Sequence, residues 1–329
     1  MKGRLLYIDI AKGIGILFVV IGHTVRDNVS HSIIFSFHMP LFFILSGCFI
    51  KPLGMKENWP KVIKSLIIPY LFACAVSLIY TVITTKADWA ILIKELEPMI
   101  LVGGKIGRHN TLFMPVIWFL PVLALAKLIT QKLLTYKKNG RELIVIISIS
   151  SALLTRCGII IPFGISQALT ASLFLLLGKF FMERNLVEVM SKRPITLCFT
   201  FIVSLIYCNQ FWVVFQWNKM PAGIFNYLIS SFIVLQIVSI CRLMEKCKSN
   251  KLIDLMVWVG RFSLLILCVH FIGDKNEIIN QWVSENFILD DNLYLGWLAI
   301  GICRFLIAAI ISYTLLKFSF ILKVFNYTK

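Results

Sequence analysis

Charge is what this sequence has least of: Asp, Glu, Lys and Arg make up only 15% of its 329 residues, while 59% are hydrophobic. Two water-soluble domains, which the length alone would permit, are excluded by that balance, because their surfaces would need far more polar side chains. No polar stretch long enough for an appended soluble domain separates the apolar runs, which recur from residue 8 to residue 316. Residues 1–329 are therefore expected to form a single membrane-embedded domain whose chemistry is done within or at the edge of the bilayer. Missing too are His-Glu-x-x-His, a Walker loop and a dinucleotide fingerprint, so no metal is expected. The Gly-x-Ser-x-Gly elbow of serine hydrolases is also absent.

Acidic residues are scarce as well, 16 against 33 Lys and Arg, for a net charge of +17. A nucleic-acid groove would gather those cations on one surface, whereas here they sit in short blocks between apolar runs. They read as a membrane-orientation signal, and no nucleic-acid partner is expected. The nine cysteines are odd in number, and Cys48, Cys74, Cys198, Cys268 and Cys303 lie inside apolar runs, which argues against a disulfide framework. The first run leads into Gly22, His23 and Thr24 and not into a small-residue cleavage site, so it reads as a retained signal-anchor helix.

Apolar runs of spanning length place transmembrane helices at about 8–25, 32–50, 66–84, 112–131, 143–160, 165–182, 195–215, 223–241, 254–272 and 294–316. Arg156 interrupts the fifth. The fold class expected is thus all-α, a polytopic membrane protein of about ten spans. Linkers 51–65, 132–142, 183–194 and 242–253 are rich in Lys and Arg, and they alternate with linkers 26–31, 216–222 and 273–293, which are not. The positive-inside rule then puts both termini in the cytoplasm. Linker 85–111 departs from the rule with Lys86, Lys94, Lys105 and Arg108, offset by Asp88, Glu95 and Glu97. Its length and Gly103, Gly104 and Gly107 suggest a surface helix followed by a loop over the outer mouth. No internal or inverted repeat is visible, which counts against a secondary transporter.

An ionisable side chain in a span costs roughly 2.5–3.5 kcal/mol even on lenient insertion scales, so each one demands a reason. Asp9, Lys12 and His23 all fall in the first run. Asp9 and Lys12, three apart, are placed to pair. Lys12 and His23, eleven apart, return to within about 20° of one helical face and lie roughly 16 Å apart along it. A neutralised boundary pair with a snorkelling lysine is the bland account. Against it, all five histidines, His23, His31, His38, His109 and His270, fall in the outer third or in outer loops, while Lys12 and Arg261 fall in the inner half. Cations inside and imidazoles outside suit an anionic donor entering from the cytoplasm and an acceptor waiting beyond. Histidine, with an unperturbed pKa near 6.5, can take a proton from an attacking hydroxyl. A short linker joins the first two spans, so His23 and His38 are expected to be neighbours.

Pro40, Pro69 and Pro121 read first as packing kinks. Trp212, Trp217 and Trp282 read as interfacial belts. Arg304, near the middle of the last span, either pairs with a carboxylate or faces a polar cavity.

The stretch from Tyr7 through Asp9, Lys12 and Gly22 to His23 resembles the opening of the acyltransferase-3 family of membrane proteins, in which a basic residue, usually Arg, precedes a His by eleven positions. Phe37-His38-Met39-Pro40-Leu41-Phe42-Phe43-Ile44-Leu45-Ser46-Gly47 resembles the family's next block, in a form nearest to its fucose-4-O-acetylase-like and polysaccharide-intercellular-adhesin branch. Weaker similarities follow from Lys64 to Pro69-Tyr70, at Trp118-Phe119-Leu120, and from Gly260-Arg261-Phe262-Ser263-Leu264 to His270. The resemblance implies ten spans and one transmembrane acyltransferase domain. It further implies transfer of an acetyl or related group from cytoplasmic acyl-CoA, acetyl-CoA first among them, to a hydroxyl of a surface polysaccharide or lipid-linked sugar. His23 matches the family's catalytic histidine and Lys12 its basic partner, a point charge where the family more often has a bidentate Arg fork.

The expected assignment has His23 and His38 as catalytic residues, with His270 and His109 as further catalytic or acceptor-binding candidates. Lys12, Arg261 and Lys64 would meet the donor's phosphates, and Asp9, Arg304 and Trp118 would support the site. The setting would be the cell membrane and its lipids, and a homodimer is compatible with the sequence. Direct attack of the acceptor is favoured over an acyl-enzyme, because no activated Ser or Cys is evident. A polysaccharide exporter or flippase without acyl transfer is the rival function. A non-catalytic scaffold would leave the stripe from Lys12 to His23 unexplained.

Overall fold

In the computed structural model, residues 4–25, 27–84, 86, 88–101, 116–136, 138–208, 213–246, 251–274, 285 and 296–327 are described, and most of them are helical. In chain order they are α1 (Leu6–Gly22), α2 (Asn28–Gly47), α3 (Met55–Val62), α4 (Ile68–Thr84), α5 (Trp89–Leu101), α6 (Phe119–Leu133), α7 (Gly140–Arg156), α8 (Ile165–Glu183), α9 (Leu186–Ser191), α10 (Pro194–Cys208), α11 (Ile224–Met244), α12 (Lys251–Arg261), α13 (Ser263–Asp274), α14 (Gly296–Leu315) and α15 (Ser319–Val324). An isolated bridge between Val214 and Lys219 is the one β feature among the described residues.

Each expected apolar run coincides with helix over most of its described residues, but the helix ends differ from the ends of the runs. Five among the described residues are long and apolar enough to cross a membrane alone: α2, the continuous Lys56–Thr84 helix, α8, α11 and α14. α12 and α13 pass the same test only when taken together, as a pair bent by 75° that is either one broken span or a re-entrant loop. The helices of the other runs are shorter among the described residues. α1 and α7 have 17 residues each and α6 and α10 have 15, so at 1.5 Å per residue they reach about 23–26 Å. Arg156 ends α7 where an interruption within a span was expected.

Local chemistry explains the breaks. Asp27 caps α2, its Oδ1 accepting the Ser30 N–H at 2.7 Å. Pro69 has no N–H to return to the preceding turn, and a π-helical turn over Ile63–Ile67 absorbs the mismatch, so that α3 runs on into α4. The linker that followed α4 does begin with a helix, α5, and the Tyr70 hydroxyl ties it down by donating to the Met99 carbonyl. All eight described cysteines are free thiols.

α1 is the central element, packed by α12, α2, α14, α11 and α13, and α2 sits between α1, α8 and α11. Two glycine contacts set these approaches. A Cβ on Gly260 would lie 1.7 Å from the Asp9 carbonyl oxygen, and one on Gly13 would lie 2.4 Å from that of Met256, so α1 and α12 touch backbone to backbone. Gly47 and Gly178 do the same for α2 and α8, with Leu175 and Ile44 oxygens at 2.1 and 2.0 Å. Small residues let membrane helices gain packing where no hydrophobic effect operates between them. Replacing Gly178 with Val is expected to cost about 3 kcal/mol or more, because the obstacle is backbone and cannot rotate away. Gly273→Ala, at a site with nothing within 4 Å, should stay within about 1 kcal/mol of the parent. Thermal unfolding of the two purified variants in detergent compares them directly.

Candidate functional site

Lys12, Ile16, Val19 and His23 recur along α1 at steps of four, three and four residues, which keeps them on one helical face. All four line a single cavity of about 370 Å³, within the range of small-molecule sites. α2 contributes Phe35, His38, Met39 and Phe42, α6 contributes Phe119, Leu120, Leu123 and Lys127, and the bend between α12 and α13 brings Gly260, Arg261 and Ser263. The Gly13–Gly260 contact therefore places Lys12 and Arg261, each the direct neighbour of one of these glycines, on the same cavity wall.

His23 follows the last residue of α1 and is exposed into this space. His38 is buried, and its Nδ1 lies 2.8 Å from the Ile34 carbonyl oxygen. A carbonyl only accepts, so Nδ1 carries the proton and the lone pair of neutral His38 sits on Nε2. His270 is buried beside His23, with ring centroids 5.6 Å apart, and it does not line the cavity. His23 is in electrostatic reach of both His38 and His270. His31 stacks on Phe35 at 3.8 Å, and Phe35 meets His38 edge-on at 4.6 Å.

Aromatic rings line part of the cavity. Phe215 enters from a tight turn and stacks on Trp118, with centroids 6.3 Å apart and planes at 14°. Phe43 and Phe174 pack behind it. At the bend, the Tyr327 hydroxyl accepts the Leu265 N–H at 3.3 Å, and its ring packs edge-on against Phe262. That N–H belongs to the first turn of α13 and would otherwise lack a partner.

Asp9 and Lys12 do not pair as expected. The Asp9 carboxylate is buried and takes its hydrogen bond and ion pair from Arg4, which reaches back from the turn before α1. Lys12 points instead into the cavity. Lys64 lies exposed on the outer side of the π-helical turn, while Leu66, two residues on, faces the cavity in its place. Arg304 is half-buried on α14 in electrostatic contact with His270, away from the cavity lining. His109 lies outside the described residues. The expected donor and base residues Lys12, His23, His38 and Arg261 thus meet at one cavity, together with Trp118.

Lys127 and Tyr327 were not singled out from the sequence. Lys127 carried a usable signal, a lysine inside an apolar run, whereas nothing local marks Tyr327. Two hydroxyls, Ser46 and Ser263, also line the cavity, and neither is hydrogen-bonded to a histidine among the described residues. Among the described residues no three His, Cys, Asp or Glu side chains cluster as a metal site would need.

The arrangement offers two imidazoles at one part of an apolar-walled cavity and cations at another. It can accept a proton from a hydroxyl and hold an anion nearby. Residues 5–317 match the family model described as an acyltransferase domain. No curated protein and no solved structure matches the chain.

The Arg4–Asp9 pair makes a prediction about stability. Arg4→Ala leaves a buried carboxylate unpaired and should cost about 2–3 kcal/mol, below the usual range for a broken buried pair because the Arg4 end is partly solvated. Asp9→Asn retains an acceptor and should cost about 1 kcal/mol. The order of the two unfolding midpoints is the check.

Proposed function

The chain belongs to the acyltransferase-3 family and is a membrane acyltransferase acting on hydroxyls, and from that premise we propose that it moves an acetyl or related acyl group from cytoplasmic acyl-CoA to a hydroxyl of an extracytoplasmic polysaccharide or lipid-linked sugar. The observation that carries this reading is the single cavity shared by Lys12 and Arg261 with His23 and His38. The donor's phosphates lie against Lys12 and Arg261, and its thioester extends along the Ile16 and Val19 face toward His23.

His23, open to the cavity, takes the acceptor proton as the hydroxyl oxygen attacks the thioester carbonyl. The carbon–sulfur bond then breaks, and the leaving thiolate recovers that proton from the imidazolium, so ester and free thiol are the products. His38, held as its Nδ1–H form by Ile34, presents a second lone pair beside the first. Direct attack suits the lining, since neither Ser46 nor Ser263 is joined to a histidine that would activate it. The aromatic floor of Trp118 and Phe215 gives the acceptor or acyl group an apolar wall.

This reading keeps ten membrane crossings, with the shorter helices inserted beside the longer ones, both termini in the cytoplasm and the cytoplasmic membrane as the setting. The His-Met-Pro segment at His38 favours the fucose-4-O-acetylase-like and polysaccharide-intercellular-adhesin branch.

Mutation of His23 to Ala should lower acyl transfer by at least ~100-fold, since general base catalysis supplies about that much or more, while the protein remains inserted. Mass spectrometry of the host's surface glycan, with and without the variant, measures the ester content. Full ester content in the His23→Ala strain overturns the assignment. Lost export of a normally unesterified glycan would favour the exporter instead.

A further inference from the structure

Lys127 is the unexplained charge of the cavity. It lies in the middle of α6, on the stripe formed with Leu120 and Leu123, so its helix turns it inward. Its ammonium is close enough to that of Lys12 for the two to repel. Arg261 lines the same space from the α12–α13 bend, and no Asp or Glu is among the lining residues. Neither Lys12 nor Lys127 has an ion pair among the described residues: Asp9 acts on Lys12 electrostatically, but its carboxylate is ion-paired with Arg4.

Several other cations of this protein do have acidic partners. Glu183 binds Arg141 and Lys179 at 3.0 and 3.1 Å, and Glu188 binds Lys192 and Arg242 at 3.6 and 3.5 Å. Lys132, five residues beyond Lys127, is exposed and lies over the ring of Tyr136 in the turn after the helix. A structural lysine on α6 thus has an outward solution available. Setting Lys12 and Lys127 against each other on low-dielectric walls, with no acid in the lining, is unfavourable unless a ligand brings several negative charges.

We propose that Lys127 is a donor-binding residue, the third cation of a seat formed with Lys12 and Arg261 that selects a carrier bearing several phosphates over an uncharged thioester. The inference rests on the donor reading above and deepens it. Lys127 binds phosphate and takes no part in the proton transfer, which lies at His23 and His38. Its loss therefore weakens donor capture and leaves turnover at saturation nearly unchanged.

The test uses the purified full-length protein with two donors, acetyl-CoA and the phosphate-free thioester S-acetyl-N-acetylcysteamine, and a soluble oligosaccharide acceptor. Lys127→Gln should raise KM for acetyl-CoA at least ~10-fold with kcat within about twofold, leave kcat/KM for the phosphate-free donor unchanged, and lower CoA affinity in equilibrium binding by the same factor. Lys127→Arg, which keeps the charge, should restore KM to within about threefold. Equal losses with both donors, or an unchanged KM for acetyl-CoA, overturn the proposal while leaving the acyltransfer reading intact. Wild-type protein that binds no CoA and transfers from neither donor overturns both.

Discussion

Backbone contact between α1 and α12 is the constraint on which the site depends. Gly13 and Gly260 let two helices meet at a distance that any Cβ would forbid, and the neighbours of those glycines are Lys12 and Arg261. Between membrane helices there is no water to expel, so association relies on packing and on close approach of small residues. The same contact that holds α12 on the bundle therefore also sets two cations on one wall. The 75° bend after Arg261 then turns α13 away, which leaves room for the cavity and frees an N–H that the Tyr327 hydroxyl accepts.

α1 links structure to chemistry because it is both the central packing element and a wall of the cavity. Its buried faces meet α2, α11, α12, α13 and α14, and its remaining face carries Lys12 at one end and His23 at the other. The Arg4–Asp9 pair matters to that division. By neutralising the Asp9 carboxylate outside the cavity, it leaves the charge of Lys12 available to a ligand. On α2, the His38–Ile34 hydrogen bond settles a proton position that an isolated imidazole would leave open. His270 stands behind His23 and not before it, so its influence on the cavity passes through the His23 ring.

Much of this was legible beforehand because periodicity is a one-dimensional property. The steps that put Lys12 and His23 on one face follow from 3.6 residues per turn and need no knowledge of neighbours. The apolar runs likewise gave helices, although their true ends came from turns, from Arg156 and from the π-helical adjustment around Pro69. Errors arose where one dimension cannot rank competing partners. Lys12 looked like the mate of Asp9 at three residues' distance, yet Arg4, arriving from outside the helix, won the carboxylate. Lys64 was grouped with the donor cations although its helical position faces outward.

The sequence by itself determined the class of the molecule, an apolar helical chain of the acyltransferase-3 family, and the polar stripe on its first helix, because composition and helical repeat are properties of the chain read along its length. Only the tertiary structure decided which polar groups share a space. It brought Lys127 and Tyr327 to the cavity, kept Arg304 and Lys64 away from it, and paired His23 with His270. Those relations depend on distances between helices far apart in the chain, and those distances are set by glycine contacts and bends whose partners no local pattern reveals.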